Sequence, residues 1–364
     1  MLLAVRTSWL SAREEGEALT FHASSAVIWA IPDKDARTNT VIDRWRRIDL
    51  WRRVSQYGRD HPALWHLLQP PYRRVINLSN DVRLWRFYRN EIVSDPSAGN
   101  DLIREAIGST QPMAIGRIGA LEAQAARCYR GRYQYPPVLQ HQLGLNVGLY
   151  PAERHHLDLF CRNYLDAVEE FNVLAACGDR GEMDILRSAA RRPVLVRPTA
   201  FDAWLYQRPW SEALVGRRVL VVHPFAASIE AQYARREKIW SNPRVLPKFH
   251  LRTVRMPLSP GLVAPKHPNW QSRLAALIEQ IDAQPYEVML VGAGGLSILL
   301  ARHAKTTGHI GFHFGGQTQI LFGIMGGRWD NDPVVLSFRN KYWTRPRAEE
   351  TPPTVSKVEG GAYW

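Results

Sequence analysis

The residues best suited to chemistry sit in a few glycine- or proline-bearing corners. Gly292-Ala293-Gly294-Gly295-Leu296-Ser297 follows a continuous apolar run and opens a helical one. Glycines let the backbone approach a ligand, and the free N–H groups of a first helical turn attract phosphate. The stretch approaches a dinucleotide fingerprint, but Ser297 takes the third glycine position. The next strand ends in Phe314-Gly315-Gly316-Gln317, with no acid to hold a ribose hydroxyl. A dehydrogenase is therefore disfavoured. Two readings stay open: a phosphate seat at Gly292, Gly294, Gly295 and Ser297, or glycines that serve helix–strand packing alone.

The segment 311–329 is the richest in glycine, and Gln317, Thr318 and Gln319 crowd its strand end. Amides and a hydroxyl there can bind a base or sugar, Arg328 can pair with a phosphate, and Trp329 can stack on a sugar ring. The alternative is that Gln317 caps a helix over 319–325 and Trp329 packs inside. His223 precedes Pro224 at another strand end, a place for a general base or a phosphate contact, although a lone histidine also serves packing. Gly116-Arg117-Ile118-Gly119-Ala120-Leu121-Glu122 offers Arg117 to an anion. Glu122 would act as a base or hydroxyl acceptor, or merely as an acid favoured by the helix dipole. One carboxylate is a poor cage for a hard cation. Asp179, Glu182 and Asp184 form a further acidic cluster that either ligates a metal or caps a helix.

These corners need elements to position them. From about residue 101 one unit recurs: a short apolar run, a turn, then a helix. The runs fall at 112–115, 172–176, 194–196, 219–222, 288–291 and 310–314. Helices are predicted at 120–129, 182–190, 226–240 and 296–307, with Gly308 as a C-cap. Continuous apolar strands joined through helices imply an α/β fold, a mainly parallel sheet with helices on both faces. Ligands of such sheets bind beyond the carboxyl ends of the strands. Residues 1–100 read as a separate basic extension, partly helical or irregular. The first 90 carry six of the 13 tryptophans and 15 Lys/Arg against 9 Asp/Glu, with helical spacing at 41–55 and 82–92. Residues 1–40 lack a clear period.

Lys and Arg outnumber Asp and Glu by 47 to 34, a formal charge of +13, which favours an anionic partner without choosing among them. The basic, tryptophan-rich extension suits a lipid surface or nucleic acid, or else helices packing on the main domain. Three cysteines without a CxxC pair exclude a disulfide scaffold and a four-cysteine zinc site. No run reaches the ~20 apolar residues of a membrane span, and the first ten residues lack a secretory apolar core. The expectation is a cytoplasmic protein, with peripheral attachment at the inner membrane face as an option.

Taken together, GRIGALE (116–122), PWSEALVGRRVLVVHPF (209–225), QYARRE (232–237), LVGAGG (290–295), FGGQTQILFGIMGGRW (314–329) and EGGAYW (359–364) resemble a bacterial family of surface-polysaccharide gene clusters. The core of that family is a Rossmann-like, GT-D-type glycosyltransferase fold. The resemblance spans about 112–364 and implies transfer of a sugar from a nucleotide-sugar donor to a glycan or lipid-linked glycan acceptor, during capsule or O-antigen assembly. It also implies a divalent cation, Mn²⁺ or Mg²⁺, held by an Asp-x-Glu motif. Arg117, Gly119 and Glu122 follow that motif, but Ala120 takes the Asp position and Gly316 the place of the catalytic histidine. The diphosphate would rest on 294–297 near Arg328, with Glu122 or His223 taking the acceptor's proton. Two other readings stand beside this one: a non-catalytic nucleotide- or glycan-binding relative, and a lipid-surface or nucleic-acid binder working through the extension, with nucleic acid the less favoured.

Overall fold

The computed structural model describes residues 82, 84–88, 91–258 and 265–364. The strands are β1 (Ile92–Val93), β2 (Met113–Arg117), β3 (Val173–Ala175), β4 (Val194–Val196), β5 (Arg218–His223), β6 (His250–Arg255), β7 (Val288–Val291) and β8 (Ile310–His313). Every pairing among them is parallel, and the order across the sheet is β1-β4-β3-β2-β8-β7-β5-β6. The expected α/β architecture with a parallel sheet is present.

Helices cover both faces. On one lie α2 (Ala120–Arg130), α3 (Pro137–Leu145), α4 (Arg154–Val168), α5 (Arg180–Ser188), α7 (Trp270–Asp282) and α8 (Ser297–Thr306). On the other lie α1 (Pro96–Gly108), α6 (Ala226–Tyr233), α9 (Gln317–Leu321), α10 (Pro333–Phe338) and three short turns, Pro198–Phe201, Ala203–Leu205 and Trp210–Leu214. Alternation along the strands feeds two cores: Leu220, Val222, Met289 and Val291 point one way, and Val219, Val221, Val288 and Leu290 the other. Phe201, Trp210, Phe312 and Phe314 pack together in the second core with ring centroids 4.8 to 5.2 Å apart, edge-on except for the tilted Phe312–Phe314 pair. Gly311 lies under α8, where a Cβ would run into the backbone of Ala301.

Several boundaries differ from the expectation. Strand β1 pairs with β4, so the sheet reaches back to 92, ahead of the boundary near 101. Residues 84–88 are helical as expected, but Ile92 is in the sheet. The segments 1–40 and 41–55 lie outside the described residues. Helix α6 stops at Tyr233 rather than near 240, because Gln232 turns inward to the carbonyls of Gly323 and Tyr342 and the chain continues as a single turn at Arg236–Lys238. Strand β6 escaped the apolar criterion because it is an edge strand reading His-Leu-Arg-Thr-Val-Arg, with His250, Arg252 and Arg255 exposed. Exposed cations are a common protection for a sheet edge. Among the described residues no helix is long and apolar enough to cross a membrane.

Candidate functional site

All the strands run the same way, so their carboxyl ends share one edge of the sheet. The covering helices divide between β2 and β8: α2 follows β2 onto one face and α9 follows β8 onto the other. In open parallel sheets such a division is where ligands bind. Arg117 closes β2 there. Gly315, just past β8, has φ +66°, a conformation that costs glycine little, and a Cβ on it would stand 3.0 Å from Arg117 Nη2. The glycine thus lets the guanidinium lie against the neighbouring strand end. Arg117 is partly buried, yet no hydrogen bond or ion pair joins it to any of the described residues.

Two carboxyls and an imidazole share its field. Glu122, in the first turn of α2, folds back over Gly119, where a side chain would overlap the carboxylate. Burial pushes Glu122 up from the usual carboxylate range, while its own backbone N–H and Arg117 pull the other way. Asp202 lies between the turns Pro198–Phe201 and Ala203–Leu205. Burial pushes it up to about 7 against the pull of Arg117. His313 closes β8, is 8% exposed, and has an Nδ1 without a partner among the described residues. Burial first and Arg117 second take it down to about 3, so the ring is neutral at ordinary pH. A carboxyl that ionises near neutrality beside an uncommitted cation has the makings of a general base next to an anion seat.

Other predicted residues are placed nearby but engaged differently. Gly292 packs on the His223 ring, where a Cβ would lie 2.9 Å from the Gly315 carbonyl oxygen. His223 is 4% exposed, and its Nδ1 accepts from the Phe225 N–H at 3.0 Å. Burial lowers it to about 3, and a ring so reluctant to take a proton is a poor base. The turn at 294–297 is occupied by protein: Gly295 N–H donates to the Val147 carbonyl at 3.0 Å, and Ser297 Oγ accepts from Ala293 N–H at 2.8 Å. A Cβ at Gly294 would stand 2.7 Å from that same Val147 oxygen. These glycines serve close packing, and the phosphate seat expected there has given its Gly295 amide to Val147.

The segment 348–364 crosses the same edge. Tyr363 covers Gly316, and Gln319, fully buried, donates to the carbonyls of Ile324 and Tyr363 at 3.2 and 3.1 Å. Gln317 opens α9 and is partly exposed. Arg328 pairs with Glu359 and lies 4.6 Å from the Tyr363 ring centroid, while Trp329 is buried at 8% exposure. The cation and the stacking platform expected of these two residues are spent within the fold. Fully buried Glu350 caps α6, accepting from Ala227 N–H at 2.8 Å and from the amide and hydroxyl of Ser228.

The acidic cluster after β3 resolves into capping. Asp179 accepts from Gly181 N–H at 2.7 Å, and Asp184 lies 3.5 Å from Arg127. Glu182 accepts from the amides of Cys177 and Gly178 at 3.0 and 3.1 Å and from Tyr88 Oη. Among the described residues no three His, Cys, Asp or Glu side chains converge to hold a metal ion. At the candidate site Glu122, Asp202 and His313 share the field of the Arg117 guanidinium without converging as ligands among the described residues, and Ala120 supplies none, so this donor set does not fit a divalent cation.

The arrangement brings together Arg117, Gly119, Glu122, Gly292, Gly315 and Gly316. Sequence reasoning missed Asp202, His313 and Tyr363. The signal for Asp202 was an acid within the apolar run Thr-Ala-Phe-Asp-Ala-Trp just past a recognised strand. His313 was concealed within a strand, and Tyr363 reaches the edge through contacts distant in sequence. Comparison with known protein families, characterised proteins and solved structures returned no match.

Proposed function

We propose that the carboxyl edge between β2 and β8 binds a nucleotide-sugar and that the protein transfers the sugar, as a GT-D-like glycosyltransferase of bacterial surface-polysaccharide assembly. The observation that carries this reading is Arg117: a partly buried guanidinium, uncommitted among the described residues, flanked by carboxyls held up by burial. A guanidinium matches a diphosphate in charge and geometry. In the reaction the acceptor hydroxyl gives its proton to Asp202 carboxylate and its oxygen bonds the anomeric carbon. The bond from that carbon to the diphosphate oxygen breaks, and its electron pair leaves with the nucleoside diphosphate, whose charge Arg117 meets. Glu122 orients a sugar hydroxyl. No step is routed through a metal. A glycan or lipid-linked glycan is the acceptor, and peripheral membrane contact would fall to the basic extension.

Binding of UDP- and GDP-sugars, measured with and without Mn²⁺, tests the reading. Micromolar binding that does not need Mn²⁺ is expected, and no binding of any nucleotide under either condition would defeat it. A second reading, a non-catalytic binder, is favoured by the segment 348–364 lying over Gly316 and the α6 N-terminus. Donor binding without release of sugar or nucleotide to any glycan acceptor would select it.

A further inference from the structure

Beyond the carboxyl end of β6 lies a cavity of about 720 Å³, bounded by Tyr150, Trp270 and the stretch 348–353. Its polar lining is strongly cationic: Arg255 at the strand end, Lys266, His267, and Arg273 on α7, against one acid among the described residues, Glu349. Glu349 is turned to Arg347, 3.2 Å away, and Arg255 donates to the Glu349 backbone carbonyl, also at 3.2 Å.

Arg273 is the unusual member. It is only 6% exposed, it donates through Nη2 to the Gly148 carbonyl, and its buried Nε has no partner among the described residues. No carboxylate pairs with it among the described residues. Burial lowers it only to about 10, so the guanidinium stays charged at neutral pH. A buried charge without a counter-charge is costly, and an anion entering the cavity would remove that cost. The rest of the wall is ring-rich and largely apolar, with Pro257, Leu258, Trp270 and Pro352, and the volume suits a compact organic molecule. We infer that this cavity is a binding site for a phosphate monoester on a compact organic body, gripped by Arg273 and Arg255. The inference does not depend on the nucleotide-sugar reading of the β2–β8 edge.

Titration calorimetry of the full chain with glucose 1-phosphate, inorganic phosphate and glucose tests it. Glucose 1-phosphate should bind, inorganic phosphate more weakly, and glucose not at all. Arg273→Gln and Arg255→Gln should each weaken glucose 1-phosphate by about tenfold or more, while Arg191→Gln, at an exposed position just before β4, leaves its affinity unchanged. Absence of glucose 1-phosphate binding, or equal binding by both cavity variants, would overturn the assignment. Should Arg273→Gln fail to fold, Arg255→Gln decides alone, because that side chain is exposed. Loss of binding in Arg117→Gln only would place the phosphate at the other edge and equally reject this site.

Discussion

Replacing Arg117 by glutamine separates a ligand-binding arginine from a structural one. Within the fold this side chain makes no hydrogen bond or ion pair with a described residue, so little internal bonding is lost. Asp202, which ionises at about 7, is mostly protonated near pH 6 and has little charge there to lose its neighbour. The variant's unfolding free energy at that pH should lie within about 0.5 kcal/mol of the parent. The ligand side is different. A charge-assisted, two-pronged contact to a diphosphate is worth about 2–3 kcal/mol, which corresponds to a roughly 30- to 150-fold weaker dissociation constant. Calorimetric titration with UDP and with a UDP-sugar, paired with urea unfolding of both proteins, reads the two quantities independently. A variant that is destabilised by more than about 2 kcal/mol yet binds UDP as the parent does would refute the assignment of Arg117 to ligand.

Asp202 gives a pH signature whose sign is fixed by burial. In the unfolded chain it ionises near its ordinary value of 3.8, and in the fold at about 7, so its contribution favours the fold below 3.8 and is lost as pH rises through 7. Asp202→Asn lacks that loss and should gain in melting temperature relative to the parent between about pH 5 and 8; a constant difference across the range would argue against it. In turnover assays the same variant should lose the rise in rate centred near 7. Tyr88→Phe removes a donor to buried Glu182 and should cost about 1–2 kcal/mol in urea unfolding, and much of that cost should vanish in a Glu182→Gln background. Gly311→Ala forces a Cβ into the Ala301 backbone, where no flexible side chain can yield, and should cost about 3 kcal/mol or prevent folding.

The central strands were legible because they are apolar on both sides. Val173–Ala175 and Val288–Val291 fall in the runs seen in sequence, since a strand covered on both faces has no polar residue to interrupt it. The edge strand β6 escaped for the opposite reason, its cations being a consequence of exposure. At the candidate site, glycines and charged residues next to apolar runs pointed to Arg117, Glu122 and Gly315, which the fold brings close to one another. What those residue types do was less legible. Gly294 and Gly295 look like a phosphate loop, yet their backbone is met by Val147, a contact that only the loop between α3 and α4 creates. Arg328 looks free until Glu359 arrives from a distant segment. Asp202 carries no spacing signal at all, because its shifted ionisation comes from burial, a property of the assembled fold.

The most direct measurement is a crystal structure of the protein soaked with UDP-glucose. Expected is a diphosphate within hydrogen-bonding distance of the Arg117 guanidinium, with the anomeric carbon facing Asp202 and Glu122. A diphosphate seated elsewhere, with Arg117 still bare, would contradict the assignment of the β2–β8 edge as the site.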